Sequence, residues 1–411
     1  MTWAPLLKLG RMVRLRSLSV SFPGCMHAGA GLQYLARSVA GLSDLQSLAI
    51  EFNGSFQSES SLAASLSFIG RLVGLSSLTL GDAPSMAPPA WLSSLTALSH
   101  IHANLQLSPV NVAVLAALPA LRRLEGVTWT AGGGGALPAA CCPGVLVLDN
   151  VRVHHSGLPS LAAAFPGLRG ATITEVVDGD DDEDGEAPHP AATAPAPAAW
   201  HSLQTLAISG FNTLQERHMA AALDSLLSLL RGAGELTTLE LKTDDDGEDF
   251  TAWGDADVAA LLARAPLSLE RLTLYPAAAL TDAAVAGCPY RPALKALHLL
   301  WTEPPELTPA GLLALGRALP GLVSLYFIAD QDGPRACDEE TESAWVQQLD
   351  ALGGGGGGGG GTAEASSRAA DGDDESSDGE DDGSDGEEDD ELVLAIRRAL
   401  AREAAAGAPL A

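Results

Sequence analysis

The sequence predicts an α/β solenoid shaped like a horseshoe, with a parallel sheet on the concave side, helices on the convex side and a disordered acidic C-terminal tail. Three features of the 411-residue chain predict this fold. A hexad, L-x-x-L-x-L with substitutions, recurs along the chain; helical patterns fill the intervals; and the tail is made of glycine and acidic residues. One such unit cannot bury its leucines alone, so neighbouring units must stack.

The hexads predict short strands. Alternate residues of a strand point to opposite faces, so the fourth and sixth residues of each hexad are expected in the core. The second, third and fifth residues are expected on the concave surface. Consecutive hexads begin 23 to 35 residues apart. They start at Leu15, Leu45, Leu75, Leu98, Leu121, Val145, Leu168, Leu203, Leu236, Leu269, Leu294 and Leu322.

The intervals carry apolar residues at three- and four-residue steps, which predicts helices. Ser108-Pro109, Thr308-Pro309 and Asp255 supply the residue types that favour helix starts. The predicted helices cover residues 31–42, 61–72, 89–98, 109–118, 214–230, 255–265 and 309–319.

The array over residues 15–352 resembles the leucine-rich repeat family, and its longer repeats resemble the ribonuclease-inhibitor type. The turns Phe165-Pro166-Gly167-Leu168 and Leu319-Pro320-Gly321-Leu322 match the turn with which that family returns from helix to strand. The chain departs from the family pattern after the strand, where a ladder of Asn or Cys is usual and only Asn53 fits clearly. The resemblance implies a horseshoe that binds proteins, similar to an F-box/leucine-rich-repeat array without a visible F-box.

Four parts are expected along the chain. Residues 1–14 form an N-terminal cap, and residues 15–352 form a solenoid of about twelve repeats, interrupted at 177–199 by a disordered acidic and Ala-Pro insert. Residues 353–391 form a glycine linker and an acidic disordered tail. Residues 392–411 hold a short amphipathic helix and the terminus. Trp345, Leu349 and Leu352 have the spacing of a helix that shields the last repeat.

The formal charge of −29 is concentrated in three segments without Lys or Arg, at residues 178–186, 243–257 and 371–391. The rest of the chain holds 24 acids and 23 bases, so we expect a nearly neutral body with three acidic appendages. Acidic segments repel phosphate, and no apolar stretch is long enough to span a bilayer. The sequence therefore predicts no direct binding of nucleic acid or membranes.

No catalytic motif stands out. The glycine runs lack the Lys of a phosphate-binding loop, and the acid run at 180–185 lacks the later Glu and the flanking helices of a calcium loop. Five cysteines without a C-x-x-C pair do not form a disulfide framework, and Cys141-Cys142 is interpreted as two small buried residues. We expect a protein that is not an enzyme and needs no metal and no cofactor.

Charged and aromatic hexad residues are the candidate partner-binding set on the concave face. Ser377 and Ser384, each with an acid three residues later, are candidate phosphorylation sites. The partner-binding candidates are Arg16, His100, His102, Arg122, Arg123, Glu125, Arg169, Glu240, Arg271, Lys295, His298 and Tyr326.

The sequence therefore favours a monomeric, non-catalytic scaffold that binds a protein partner. Two alternatives stay open: the substrate-recognition subunit of an F-box type ubiquitin ligase, and a chaperone of histones or other basic proteins that uses the acidic tail. An intracellular protein is expected, and the resemblance implies a cytoplasmic one. Cytoskeletal and ciliary locations are further alternatives, and a nuclear location is also compatible.

Overall fold

The computed structural model describes most of the predicted solenoid and one helix beyond it. It describes residues 9–23, 28–53, 59–130, 141–177, 200–210, 216–242, 253–277, 280–301, 306–329, 339–352 and 391–407. The predicted phosphorylation sites Ser377 and Ser384 lie outside these residues, as does the predicted insert, except for Val177.

In the described part of the chain, one open sheet contains twelve parallel strands in chain order. Each strand begins at the third residue of a hexad, because the period-two pattern of buried leucines starts there. This sheet confirms the leucine-rich-repeat solenoid. Its strands are β1 Ser17–Pro23, β2 Ser47–Asn53, β3 Ser77–Gly81, β4 His100–Leu107, β5 Arg123–Trp129, β6 Val147–His154, β7 Gly170–Val177, β8 Thr205–Ile208, β9 Thr238–Lys242, β10 Arg271–Ala277, β11 Ala296–Trp301 and β12 Ser324–Ala329.

Helices connect the strands. Short 3₁₀ helices cover Ser67–Arg71, Ala90–Ser94 and His155–Gly157. The α-helices are α1 Ala28–Val39, α2 Glu59–Ser65, α3 Ala113–Ala116, α4 Leu158–Ala164, α5 Glu216–Leu230, α6 Asp255–Arg264, α7 Asp282–Ala286, α8 Pro309–Ala318, α9 Glu339–Leu352 and α10 Glu391–Gly407.

Two of the predicted helices are much shorter than expected. The interval 89–98 holds only a 3₁₀ helix, and the interval 109–118 holds a single turn, α3. A repeat of 23 residues leaves no room for three helical turns once its strand and connections are formed. Ser108 does not cap α3; its backbone N–H donates to Asn111 Oδ1 at 2.8 Å, which closes a local turn instead. Thr308 does cap α8, since its Oγ1 accepts from Gly311 N at 3.3 Å.

A second ladder runs along the entrances of the strands. The carbonyl of the second hexad residue accepts two backbone N–H groups of the next repeat, at every step from Arg16 to Ser324. Ser99 O, for example, accepts from Arg122 N at 2.9 Å and Arg123 N at 3.1 Å. The second residue therefore precedes the strand and lies along its entrance edge. The second position thus lies beside the strand positions that were expected on the concave surface, at the edge of the sheet.

Carboxylates at helix starts join three late repeats. Asp255 accepts hydrogen bonds from Thr281 N at 2.9 Å and Thr281 Oγ1 at 2.5 Å. Asp282 accepts in the same way from Thr308 N at 2.8 Å and Thr308 Oγ1 at 2.5 Å. These bonds link successive repeats in a region without the asparagine ladder. Asp255 was assigned to an acidic appendage, but it belongs to the folded body as the first residue of α6.

The last repeat is covered by apolar side chains. Trp345 and Leu349 of α9 are buried, with 6% and 0% of their surface exposed. The amphipathic helix predicted near the C-terminus is α10, and it packs against α8 and α9. At the other end, Leu9 packs against the core while Val13 is exposed.

The two adjacent cysteines differ in environment. Cys142 is buried, and its Sγ lies 3.8 Å from Val112 O, whereas Cys141 is exposed. The interpretation of both as buried residues holds only for Cys142. Burial raises the pKa of the Cys142 thiol to about 12, and the neighbouring Cys141 adds to this shift.

The buried Cys142 thiol should react slowly with alkylating reagents. In the native protein at pH 8, iodoacetamide should alkylate Cys142 at least about a hundredfold more slowly than Cys141, because only the thiolate reacts. Tandem mass spectrometry of the labelled peptide separates the two positions over a time course. Unfolding in guanidinium should abolish the difference. Equal rates in the native protein would show that Cys142 is not buried as described.

Candidate functional site

The strands at the middle of the sheet differ from the others. Strands β4, β6 and β7 have eight residues, whereas β8 has four and β9 has five. Strands β5 and β6 each place two consecutive residues outside the core, Glu125-Gly126 and Asp149-Asn150. Gly126 and Asn150 have positive φ, 79° and 51°. A left-handed residue of this kind marks a bulge, which restores the alternation and extends the concave surface beyond the hexads.

The bulges border a polar hollow on the concave side, which we call the concave cup. Its volume is about 230 Å³. Of the described residues with positive φ, Asp82, Gly126 and Asn150 line the cup, and only Gly210 does not. Residues in the left-handed region persist only where the surrounding structure holds them, and they cluster at binding sites. The cup is lined by Leu80, Asp82, Ala83, His102, Asn104, Gly126, Val127, Thr128, Asn150 and Arg152.

Hydrogen bonds from β7 fix the side chains on β6. Arg152 Nε lies 3.0 Å from Glu175 Oε2, and Thr174 Oγ1 donates to Asn150 Oδ1 at 2.9 Å. With its oxygen engaged, Asn150 presents its amide N–H groups to other acceptors. The cup is therefore held in shape by contacts outside it, which lowers the conformational entropy lost on binding.

The basic and histidine residues of β4 and β5 face acids on the next strand. Arg123 Nη2 lies 2.8 Å from Asp149 Oδ2. Glu125 Oε2 lies 3.6 Å from His100 Nε2 and 3.9 Å from His102 Nδ1. The concave surface around the cup thus alternates between positive and negative groups.

The candidate residues from the sequence fall into two sets. Those at third and fifth hexad positions lie on strands: His100, His102, Arg123, Glu125, Glu240, Arg271, His298 and Tyr326. Those at second positions lie on the entrance edge: Arg16, Arg122, Arg169 and Lys295.

Arg122 illustrates the edge position. Its Nη1 donates to Pro119 O at 3.1 Å, Leu121 O at 2.9 Å and Gly144 O at 3.3 Å, so it binds the turns that lead into two strands. Lys295 Nζ pairs with Glu270 Oε2 at 2.9 Å along the same edge. On the sheet, His298 contacts Ser324 Oγ at 3.1 Å and is in register with Tyr326.

Sequence reasoning missed most of the cup, because Asp82, Asn104, Thr128 and Arg152 follow the hexads. Asn150 is the sixth residue of its hexad, a position expected in the core, and the expectation was wrong there because the bulge turns Asn150 outward. A signal was present. In Leu124-x-x-Val127-x-Trp129 and Leu148-x-x-Val151-x-Val153, the apolar alternation skips one residue, as a bulge requires.

Most of the described residues of the cup have polar side chains suited to binding. Among all the described residues of the chain, no group of three or more His, Cys, Asp or Glu side chains is arranged to hold a metal ion. None of the described helices combines the length and the apolar character needed to cross a membrane. What the cup presents is a set of amide, hydroxyl, imidazole, guanidinium and carboxylate groups around a small apolar floor.

The chain was compared with protein families, curated proteins and solved structures, and only the solved structures gave matches. No protein-family model matches the chain, and no curated protein matches it. An internalin from Listeria monocytogenes is 15% identical with a TM-score of 0.37, and the alignment covers 80% of this chain and 85% of that one. The leucine-rich repeat-containing protein LegL7 from Legionella pneumophila is 13% identical with a TM-score of 0.33, over 82% and 91% of the two chains. The assignment of the fold rests on this chain's own hexads and sheet.

Proposed function

We propose that this protein is a non-catalytic interaction scaffold, that a protein partner binds on its concave face, and that the concave cup is the anchor point. The observation that carries the proposal is the cup itself, where bulged strands place polar side chains around a hollow on an otherwise regular sheet. Solenoids present extended concave surfaces of this kind to macromolecules. Intracellular, cytoplasmic action as a monomer is part of the proposal.

The dimensions of the cup define what it can accept. A volume of about 230 Å³ accommodates one large side chain of a partner or two small ones. Asn104, Thr128 and Asn150 offer both donors and acceptors, while Asp82 and Arg152 supply opposite charges. A polar or amphipathic side chain at a partner's loop or strand therefore fits better than an aliphatic one. The alternating charges around the cup would fix the orientation of the partner rather than supply most of the affinity.

Filling the cup should abolish binding. Thr128→Trp places a large side chain in the hollow, so we expect at least a tenfold loss of the partners that immobilised full-length protein retains from a native cell extract. Quantitative mass spectrometry measures the retained proteins. Ala116→Trp is the matched control, because Ala116 is exposed on α3, away from the strands. If Thr128→Trp retains these partners as well as the wild type does, the cup is not the anchor point.

The two alternatives from the sequence, a ubiquitin-ligase subunit and a histone chaperone, differ in what else they need. The first needs an adaptor-binding domain, and the second needs the acidic tail at 371–391. No observation on the described residues favours either of them over a general scaffold. Both could use the same concave face, so loss of binding in Thr128→Trp would be shared by all three functions.

A further inference from the structure

The end of the solenoid carries a groove that holds helix α10. The groove is formed by Gly316 of α8 and by Leu319, Pro320 and Leu322, which lead into β12; we call it the terminal groove. We propose that the terminal groove is a binding site for amphipathic helices, that α10 is its resident occupant, and that the helix of a partner protein replaces α10. This site is separate from the concave cup, and the proposal does not depend on the function assigned to the cup.

The apolar face of α10 fits the groove closely at one point. Leu392, Val393 and Ile396 expose 2% or less of their surface. A Cβ atom at Gly316 would lie 2.3 Å from Ile396 Cγ2 and 3.0 Å from Leu400 Cδ1. Gly316 therefore permits the close approach of the two helices, although glycine is an unfavourable residue within a helix such as α8.

Arginines fix the orientation of α10. Arg397 Nη2 donates to Leu322 O at 2.6 Å. Arg402 binds Asp350 of α9 through Nη1 to the carbonyl at 2.9 Å and through Nη2 to Oδ1 at 2.8 Å. Arg317 of α8 donates to Glu403 Oε1 at 2.6 Å. Most of these groups are exposed, so they select the direction and register of the bound helix more than they add affinity.

The resident helix leaves part of the groove unfilled. A cleft of about 160 Å³ lies between the groove and Val393, Ile396, Arg397 and Leu400 of α10. Protein interiors are normally packed to the density of organic crystals, so unfilled apolar space means contacts forgone. A helix with a larger side chain at the position of Val393 would bury more apolar surface than α10 does.

The sequence separates α10 from the rest of the solenoid. Residues 353–390 lie between α9 and α10, so no short connection to α9 fixes the place of α10. Among the described residues, the contacts with α8, α9 and the terminal groove hold α10, and another helix that makes the same contacts competes for the same surface. The occupant that fits is an amphipathic helix with apolar residues spaced like Leu392, Ile396 and Leu400 and with a basic residue that reaches Leu322 O.

The test uses full-length protein and a fluorescent peptide of residues 388–407, with binding measured by fluorescence anisotropy. Ile396→Asp should release α10 and free the groove, so the peptide should bind this variant at least tenfold more tightly than the wild type. Adding Gly316→Ala should block the freed groove and weaken binding at least tenfold. Adding Gly234→Ala instead is the matched control, because a Cβ there meets no atom within 4 Å.

Two further probes address the kind of partner. A designed helix that shares only the groove-facing apolar residues and Arg397 with α10 should bind Ile396→Asp and fail to bind Ile396→Asp/Gly316→Ala. The peptide with Val393→Phe should bind more tightly than the parent peptide, by roughly fourfold for each methylene it buries in the cleft. The same Val393→Phe peptide is also titrated against wild-type protein, which needs no variant to fold.

Three results would overturn the proposal. Ile396→Asp could retain its circular dichroism and bind no peptide, which would mean that the groove is not a helix site. Gly316→Ala could leave binding unchanged, which would place the peptide elsewhere. Finally, failure of the designed helix together with concentration-dependent dimers of the wild type, absent from Ile396→Asp, would assign the groove to a second copy of this chain. Leu400→Asp is the second releasing variant if Ile396→Asp does not fold.

Discussion

Arg291→Ala is expected to lower the free energy of unfolding by about 3–5 kcal/mol, because it removes a buried cation that donates to three buried backbone carbonyl groups. Arg291 exposes 3% of its surface. Its guanidinium donates to Leu262 O, to Pro266 O at 3.0 Å and to Ala265 O at 2.7 Å. Burial lowers the pKa of this guanidinium, yet an arginine remains charged at neutral pH.

These carbonyls explain why a cation is tolerated there. Leu262 lies in the last turn of α6, and Ala265 and Pro266 come directly after it. The end of a helix leaves carbonyls without intrahelical partners and carries a partial negative charge. The backbone N–H of Arg291 also donates to Ala318 O at 2.7 Å, at the end of α8. One residue thereby joins the ends of α6 and α8, which belong to the repeats on either side of its own. Alanine takes the guanidinium donors away from these buried carbonyls, and lysine cannot reproduce the planar fork of donors.

Urea unfolding followed by circular dichroism measures the loss, and hydrogen exchange locates it. Repeat arrays can unfold in stages, so the expected result is a lower midpoint together with faster exchange in α6 and α8. Lys295→Ala is the matched control. Lys295 is an exposed base with one ion pair, so its loss should cost less than about 1 kcal/mol. An equal effect of the two substitutions would contradict the capping role of Arg291.

Trp129→Ala is expected to cost a similar amount, about 3–5 kcal/mol, for a different reason. Trp129 ends β5 and exposes 1% of its surface. Its ring meets Phe165 edge to face with centroids 6.0 Å apart, and its Nε1 donates to Ser160 Oγ at 2.9 Å. Ser160 Oγ in turn donates to Gly157 O at 2.9 Å. The substitution leaves both a cavity and a broken hydrogen-bond chain.

Trp129→Phe separates these two contributions. Phenylalanine keeps most of the apolar contact with Phe165, removes the donor to Ser160 and leaves a smaller cavity than alanine does, so we expect a loss of about 1–2 kcal/mol. Urea unfolding of the three proteins gives both differences. Because Thr128 precedes Trp129 and lines the cup, Trp129→Ala should also weaken partner capture. A loss from Trp129→Phe as large as that from Trp129→Ala would assign the stability to the hydrogen bond.

The sheet could be predicted from the sequence because its cause is local and repeated. Every hexad supplies an apolar residue, mostly leucine, at its first and fourth positions, and stacking is the way to bury these residues. Helix lengths were less predictable, since the apolar steps at 109–118 fit a helix while the 23-residue repeat allows only α3. The second hexad position was grouped with the third and fifth, although the strand begins only at the third.

Most of the cup could not be predicted from the sequence. A left-handed backbone at Asn150 depends on the register with β5, where Glu125 pairs with Asp149 and Val127 with Val151. The skipped alternation indicates the bulge, but the convergence of Asp82, Gly126 and Asn150 requires four neighbouring strands, β3 to β6, in register. In the same way, an amphipathic pattern predicts α10 but not its docking against Gly316, which comes from a repeat far away in sequence.

We expect the partner to lie on the concave face beside the cup, and photo-cross-linking can locate it. A photoreactive residue at Thr79, which pairs in register with His102 on the cup's border, is compared with one at the exposed Ala116 of α3. After irradiation in native extract, we expect position 79 to cross-link to the protein that the wild type retains, and position 116 to give no cross-link to it. Cross-links from position 116 alone would contradict it and place the partner on the helical side.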